Sequence, residues 1–235
     1  MWWAIVLSAL IGYALGSVQF GIIVGRITRG VDVRDYGSGA TGATNVIRTS
    51  GAKAGVLVIV LDIAKGIAPV YIGIALGHAA GIDHDERAWA AAAGAFAAVC
   101  GHVWPVWAGF RGGKAVASGF GAALAMNPLA AAALIPVAAL VVAGARIMSL
   151  MSITMAPAMA VLFVVLAALG VSPWAYAAYA AGASAIIVFK HRANIARLRA
   201  GTEPRIGRGG EQRAEASAPS AAPEREASAT RRYDG

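Results

Sequence analysis

Six stretches of the chain are long enough and apolar enough to form membrane-crossing helices: Trp2 to Val24, Ala54 to Gly77, Ala88 to Trp104, Leu129 to Ala145, Ile147 to Leu169 and Pro173 to Phe189. A bilayer core ~30 Å thick takes about 20 apolar residues per helix, and each stretch approaches or reaches that length. A seventh run, Ala115 to Met126, is shorter, and Asn127-Pro128 separates it from its successor because that dipeptide disfavours helix continuation. With 58% of 235 residues hydrophobic and only 14% charged, an ordinary soluble domain is excluded. The expected fold is an all-α integral membrane protein, a compact bundle of seven transmembrane helices.

Charge location sets the sidedness. Arg26, Arg29, Arg34, Arg48 and Lys53 crowd the first loop, whereas Asp83, Asp85 and Glu86 outweigh Arg87 in the second. The positive-inside rule puts the first loop in the cytoplasm. Arg111 and Lys114, then Arg146, then Lys190 onward fall on that same side if the run after Lys114 crosses out and its successor crosses back. That parity gives seven crossings with the N-terminus out and the C-terminus in. A re-entrant hairpin at 115–126 gives five crossings and the same sidedness. Met1-Trp2-Trp3 runs straight into apolar sequence without a basic leader, so the first segment is expected to persist as a helix. The net charge of +8 has no soluble basic face to act from, so it does not indicate nucleic acid; lipid headgroups and phosphorylated substrates are the fitting partners. Cys100, the single cysteine, is expected to be a small packed residue, and neither a disulfide framework nor a metal-ligand spacing exists. Residues 1–208 form the expected membrane domain. From 209 to 235 the sequence turns to Ala, Ser, Pro, Glu and Arg, the composition of a disordered cytoplasmic tail.

The densest chemical signal is Gly37-Ser38-Gly39-Ala40-Thr41-Gly42-Ala43-Thr44-Asn45-Val46-Ile47-Arg48, in the first basic loop. Small residues let backbone N–H groups converge on an anion, while the hydroxyls of Ser38, Thr41 and Thr44, the Asn45 amide and the Arg48 guanidinium add donors for phosphate oxygens. The segment contains G-x-G-x-x-G, but the βαβ context of a dinucleotide site is missing, since Val31-Asp32-Val33-Arg34-Asp35 precedes it. A merely flexible glycine loop is the bland alternative. A second constellation runs from Gly101-His102 through Phe110-Arg111-Gly112-Gly113-Lys114, where paired glycines permit close backbone approach beside a mobile cation; a topological anchor is the competing reading. A third comprises His191, Asn194 and the stretch Gly201-Thr202-Glu203-Pro204. His191 and Asn194 share a helix face. A basic helix on anionic lipid explains the neighbouring arginines but not the Gly-Thr-Glu-Pro stretch. Asp62 and Lys65, one turn apart inside a span, are expected to form a structural ion pair. The spacing His78-x₄-Asp83 imitates a thioester-dependent acyltransferase signature, yet it lies in the acidic outer loop, and chance accounts for it.

Together Gly16-Ser17 with Phe20-Gly21, the Gly37–Arg48 stretch, Leu61-Asp62-Ile63-Ala64-Lys65-Gly66, Gly101–Lys114 and His191–Glu203 resemble, in order, the acyl-phosphate:glycerol-3-phosphate acyltransferases, multi-pass enzymes of the bacterial inner membrane. The chain departs from that pattern at Gln19 for proline, Ala40 for asparagine, Ala115 for glycine, Ser118 for threonine and Ala193 for glutamate. The resemblance implies seven helices with cytoplasmic active-site loops, acyl phosphate and glycerol 3-phosphate as substrates, no cofactor or metal, and functional coupling to the soluble enzyme that makes the acyl phosphate. On this basis Ser38, Gly39, Gly42, Ala43, Thr44, Asn45 and Gly113 are expected at the donor phosphate. Arg48, Lys114, Ser149, His191 and Asn194 are expected at glycerol 3-phosphate. Lys114, Arg48 and His191 form the expected catalytic group, with the base being either His191 or the donor phosphate itself. Competing functions are a carrier of phosphorylated anions, which places its site near the midplane, and a lipid-binding scaffold, which leaves the glycine loop unexplained.

Overall fold

A computed structural model describes residues 2–206, and within them every regular element is a helix. The helices are α1 (Trp2–Ser17), α2 (Phe20–Arg29), α3 (Ala43–Ser50), α4 (Ala52–Ala79), α5 (His84–Val103), α6 (Val116–Met126), α7 (Pro128–Ala145), α8 (Met148–Ala168), α9 (Trp174–Lys190) and α10 (Arg192–Arg199). The expected tail, 209–235, lies outside the described residues.

Every apolar run noted in the sequence is helical, but the first is broken. The helix stops at Ser17 and restarts at Phe20. The Val18 carbonyl at the break accepts Lys65 Nζ at 2.7 Å, so a buried side chain replaces a missing helical N–H. Among the described residues five stretches have the length and apolarity to cross a bilayer: Trp2–Arg29, Ala52–Ala79, His84–Ala108, Pro128–Ala145 and Met148–Ala168. Helix α6, with 11 residues, rises about 16 Å, and α9, with 17, about 26 Å. The predicted break before α7 has a physical basis: Asn127 Oδ1 accepts the Ala130 N–H at 3.0 Å as an N-cap, and Pro128 occupies the first turn, where its missing N–H costs nothing.

Helix α5 is the axis of the bundle, with α1, α4 and α9 packed around it. On the α1–α5 seam Gly12 and Gly16 face Gly94 and Ala98, small residues that let two backbones close up where hydrophobic attraction gives no drive. Ser8 Oγ donates to the Ala90 carbonyl across it at 2.7 Å. The buried core is rich in alanine, with Phe163 among its few large side chains. Helix α7 is the loosest member, burying only Ala130 and Ala131. Large apolar side chains such as Leu129, Leu140 and Val161 point outward from the long helices, the disposition of an integral membrane protein. Asp83 Oδ1 accepts the Glu86 N–H at 2.8 Å to cap α5, so the His78-x₄-Asp83 spacing reduces to a helix start.

Candidate active site

The glycine segment is folded around the Asn45 side chain. Asn45 Nδ2 donates to the carbonyls of Val33, Ala40 and Tyr36 at 2.7, 3.0 and 3.1 Å, and Oδ1 accepts the Ser38 N–H at 2.9 Å. The amide is thereby saturated and 2% exposed. It shapes the loop rather than offering its own donors to an anion. Gly37 and Gly39 adopt left-handed φ of 57° and 68°, and a Cβ at Gly37 would collide with Asn45 Oδ1. The loop ends at Gly42, the N-cap of α3, so the first N–H groups of α3, those of Ala43 and Thr44, have no helical acceptor and stand at the cavity wall. Anions are favoured there by the helix dipole. Arg48, one turn on, is exposed and makes no side-chain hydrogen bond among the described residues. Thr41 differs from the expectation: its hydroxyl is buried and donates to Gln19 Oε1 at 2.6 Å, away from the cavity.

The second loop places Lys114. Gly113 N–H donates to the His102 carbonyl at 3.1 Å, and a Cβ on Gly113 would overlap the His102 ring, so the chain can pass there only as glycine. Ala115 then takes a left-handed φ of 59° while 1% exposed and starts α6, which turns the Lys114 side chain into the cavity. Lys114 Nζ donates to Asn194 Oδ1 at 2.6 Å. Burial, offset in part by Glu203 and reinforced by Arg197, Arg48 and Lys190, brings its ammonium down to about 8.

Glu203, picked out in the sequence only as part of the Gly-Thr-Glu-Pro stretch and given no role there, is the hub of the third cluster. Gly201, at a φ of 70°, turns the chain back over α10. Glu203 Oε1 then accepts Ser149 Oγ and Asn194 Nδ2, each at 2.6 Å, and Oε2 accepts Arg197 Nε at 2.7 Å. Burial pushes the Glu203 carboxyl up, but these donors outweigh it and hold the carboxyl below its usual range. The signal for this residue was the Gly-Thr-Glu-Pro stretch that lipid binding does not explain. His191 lies at the α9–α10 corner, where Nδ1 donates to the Ile187 carbonyl at 2.7 Å. Burial lowers it to about 4, so the ring is neutral near pH 7 and Nε2 keeps its lone pair. Beyond the cluster the Ile206 N–H donates to the Arg146 carbonyl at 2.7 Å, pinning this segment to the α7–α8 corner.

All twelve sequence-predicted site residues line one cavity of about 1500 Å³. Arg29, Arg48, Lys114, Lys190, Arg192, Arg197 and Arg205 face it against two carboxylates, Asp62 and Glu203, so it favours anions. It continues between apolar side chains of α4, α6, α7, α8 and α9, among them Ile63, Phe120, Leu134, Met155 and Ile187. Asp62 lies at its edge. Lys65 Nζ is 2.9 Å from Asp62 Oδ1, a charge contact without well-directed hydrogen bonding, and both side chains are almost wholly buried. His78 and Asp83 are at the far end of α4 and do not reach the cavity.

The fold and the cavity define an all-helical membrane bundle whose cationic pocket opens into an apolar groove. The chain belongs to the glycerol-3-phosphate acyltransferase family, whose sequence model, "Glycerol-3-phosphate acyltransferase", matches residues 6–201. Relatives bearing that name include those of Synechococcus elongatus, 40% identical over 87% of this chain and 95% of theirs, and Synechococcus sp. strain JA-3-3Ab, 43% identical over 88% and 95%. Among solved structures, PlsY, described as an integral membrane glycerol 3-phosphate acyltransferase, superposes in its glycerol 3-phosphate form with a TM-score of 0.74 and 37% identity, covering 86% of this chain and 96% of that one. Its lysophosphatidic acid form gives 0.73 and 36%, with 86% and 95% coverage.

Proposed function

We propose that the protein transfers a fatty acyl group from acyl phosphate to the 1-hydroxyl of glycerol 3-phosphate, releasing lysophosphatidic acid and inorganic phosphate on the cytoplasmic face of a bacterial inner membrane. The observation that carries this reading is one cavity in which two polar clusters, the glycine loop and the side chains gathered on Glu203, flank Lys114 at the head of an apolar groove. One phosphorylated substrate needs one such cluster. A transfer between two phosphorylated molecules, one of them with a hydrocarbon chain, uses both and the groove.

The donor phosphate sits at the N-terminus of α3, against Ser38, Gly39 and the N–H groups of Gly42, Ala43 and Thr44, with Asn45 keeping the loop in shape and Gly113 completing the opposite wall. Arg48, Lys114, Ser149 and Asn194 hold glycerol 3-phosphate. The acyl chain lies along the groove and enters from the bilayer beside loosely packed α7. The 1-hydroxyl oxygen attacks the acyl carbonyl carbon, a C–O bond forms, the acyl-to-phosphate C–O bond breaks, and its electron pair leaves with phosphate. The mixed anhydride is already activated, so no acyl-enzyme is needed. The hydroxyl proton passes to a phosphate oxygen of the donor. A His191 lowered to about 4 is a poor base at neutral pH, and its neutral Nε2 is better suited to accepting a hydrogen bond that aligns the hydroxyl. Lys114 and Arg48 offset the charge on the leaving phosphate.

The test is product formation by purified protein from labelled glycerol 3-phosphate with acyl phosphate and acyl-CoA assayed in parallel. Lysophosphatidic acid from acyl phosphate is the expected result, and turnover with acyl-CoA alone overturns the donor assignment.

A further inference from the structure

Gln19 stands at the break between α1 and α2, 6% exposed, where a polar amide has no bulk water to bond. Its Oε1 accepts the Thr41 hydroxyl at 2.6 Å, and its Nε2 lies 3.3 Å from the Ser17 carbonyl, 3.4 Å from the His102 carbonyl and 3.5 Å from that of Gly16. The His102 carbonyl also accepts the Gly113 N–H at 3.1 Å. A single carbonyl is therefore shared between the side chain that grips the glycine loop and the residue that precedes Lys114. Lys114 is tied on its other side to Asn194 at 2.6 Å, an attachment that owes nothing to Gln19. Of the side-chain links between the two loops among the described residues, this one ends at Gly113 beside Lys114, whereas Arg34 Nη1, donating to the Ala108 carbonyl at 2.9 Å, ends six residues before it.

We propose that Gln19 is a positioning residue: the path Thr41–Gln19–His102 carbonyl–Gly113 sets the spacing between the glycine loop and Lys114 and thereby the affinity for the donor phosphate, without Gln19 touching the donor. The inference rests on the reading of that loop as the donor-phosphate site. Two grips on one anion act together only when their separation is fixed beforehand, and small misplacements of such groups are costly.

The experiment compares the full chain with Gln19→Ala, Thr41→Val, Thr41→Ser and the Gln19→Ala/Thr41→Val double variant. KM for acyl phosphate should rise about tenfold in Gln19→Ala and Thr41→Val, the size of one hydrogen bond lost, while KM for glycerol 3-phosphate stays within about twofold. Both changes cut the same link, so the double variant should be no worse than either single. Thr41→Ser, which keeps the hydroxyl, should retain the wild-type KM, and the Thr41 pair carries the test if Gln19→Ala does not fold. An unchanged donor KM, multiplicative losses in the double variant, or a fall in kcat with both KM values untouched each overturns the tie. If the wild type fails with acyl phosphate, the donor reading falls separately. The tie is then judged by thermal stabilisation from inorganic phosphate, which should be weaker in Gln19→Ala and Thr41→Val but not in Thr41→Ser; equal stabilisation of the wild type and these three variants rejects it.

Discussion

Lys114 is the side chain on which the two halves of the site meet, and its position is bought with backbone strain at Ala115 and a glycine passage over His102. Lys114→Ala and Arg48→Ala should each lower acylation of glycerol 3-phosphate by roughly 10² to 10³-fold, since losing one preorganised contact to developing charge costs about 3 to 4 kcal/mol of barrier. Membrane content measured alongside should not change; a mere topological anchor would leave rates almost intact. The lowered Lys114 ammonium adds a pH signature. With a folded value of about 8 the side chain is charged below that pH and loses its proton as pH rises through it, so kcat/KM should fall above pH 8. His191, at about 4, is already neutral across this range and contributes no limb to it. Profiles of kcat/KM between pH 6 and pH 10 would check this (the range is set by the Lys114 value of about 8). A flat profile would mean that Lys114 does not carry charge to the substrate. Ala115→Gly should leave the fold intact and raise thermal stability by up to about 1 kcal/mol, because an alanine in a left-handed conformation is strained where glycine is not.

At the scale of elements the site is assembled from segments far apart in sequence, and this governs how much of it could be read in advance. The glycine loop announced itself by small residues and hydroxyls clustered in a basic loop, and Asn127-Pro128 marked the α6–α7 break. Two features were illegible there for the same reason: Thr41 turning inward to Gln19, and Asn45 spending its amide on the loop, depend on which neighbour the folded chain supplies. Glu203 was legible only in part: the Gly-Thr-Glu-Pro stretch stood out, but the role of its glutamate shows only where Gly201 folds it back over Ser149, Asn194 and Arg197. Its charge raises the Lys114 value against burial, so Glu203→Gln should move the alkaline limb of kcat/KM to lower pH. A limb that stays in place would uncouple the C-terminal segment from the lysine.

For the whole molecule, the apolar runs made the membrane class plain, and the break at Val18-Gln19 stayed hidden because the donor that satisfies it is a buried lysine from another helix. The basic loops predict a sidedness that labelling can check: single cysteines at positions 39, 113 and 203, in a Cys100→Ala background, should resist an impermeant thiol reagent in intact cells, whereas one at position 85 should react. Rapid labelling at 113 would invert the topology. The clip between Ile206 and the Arg146 carbonyl has a consequence in time as well as in space. Glu203 is among the last described residues to be synthesised, and Ser149, Asn194 and Arg197 have no common acceptor until it arrives. A nascent chain threading into the bilayer can complete its helices and its glycine loop early. It cannot gather Ser149, Asn194 and Arg197 on one carboxylate until translation has passed Glu203, so a chain cut short before that point is expected to enter the membrane with its groove yet fail to bind glycerol 3-phosphate.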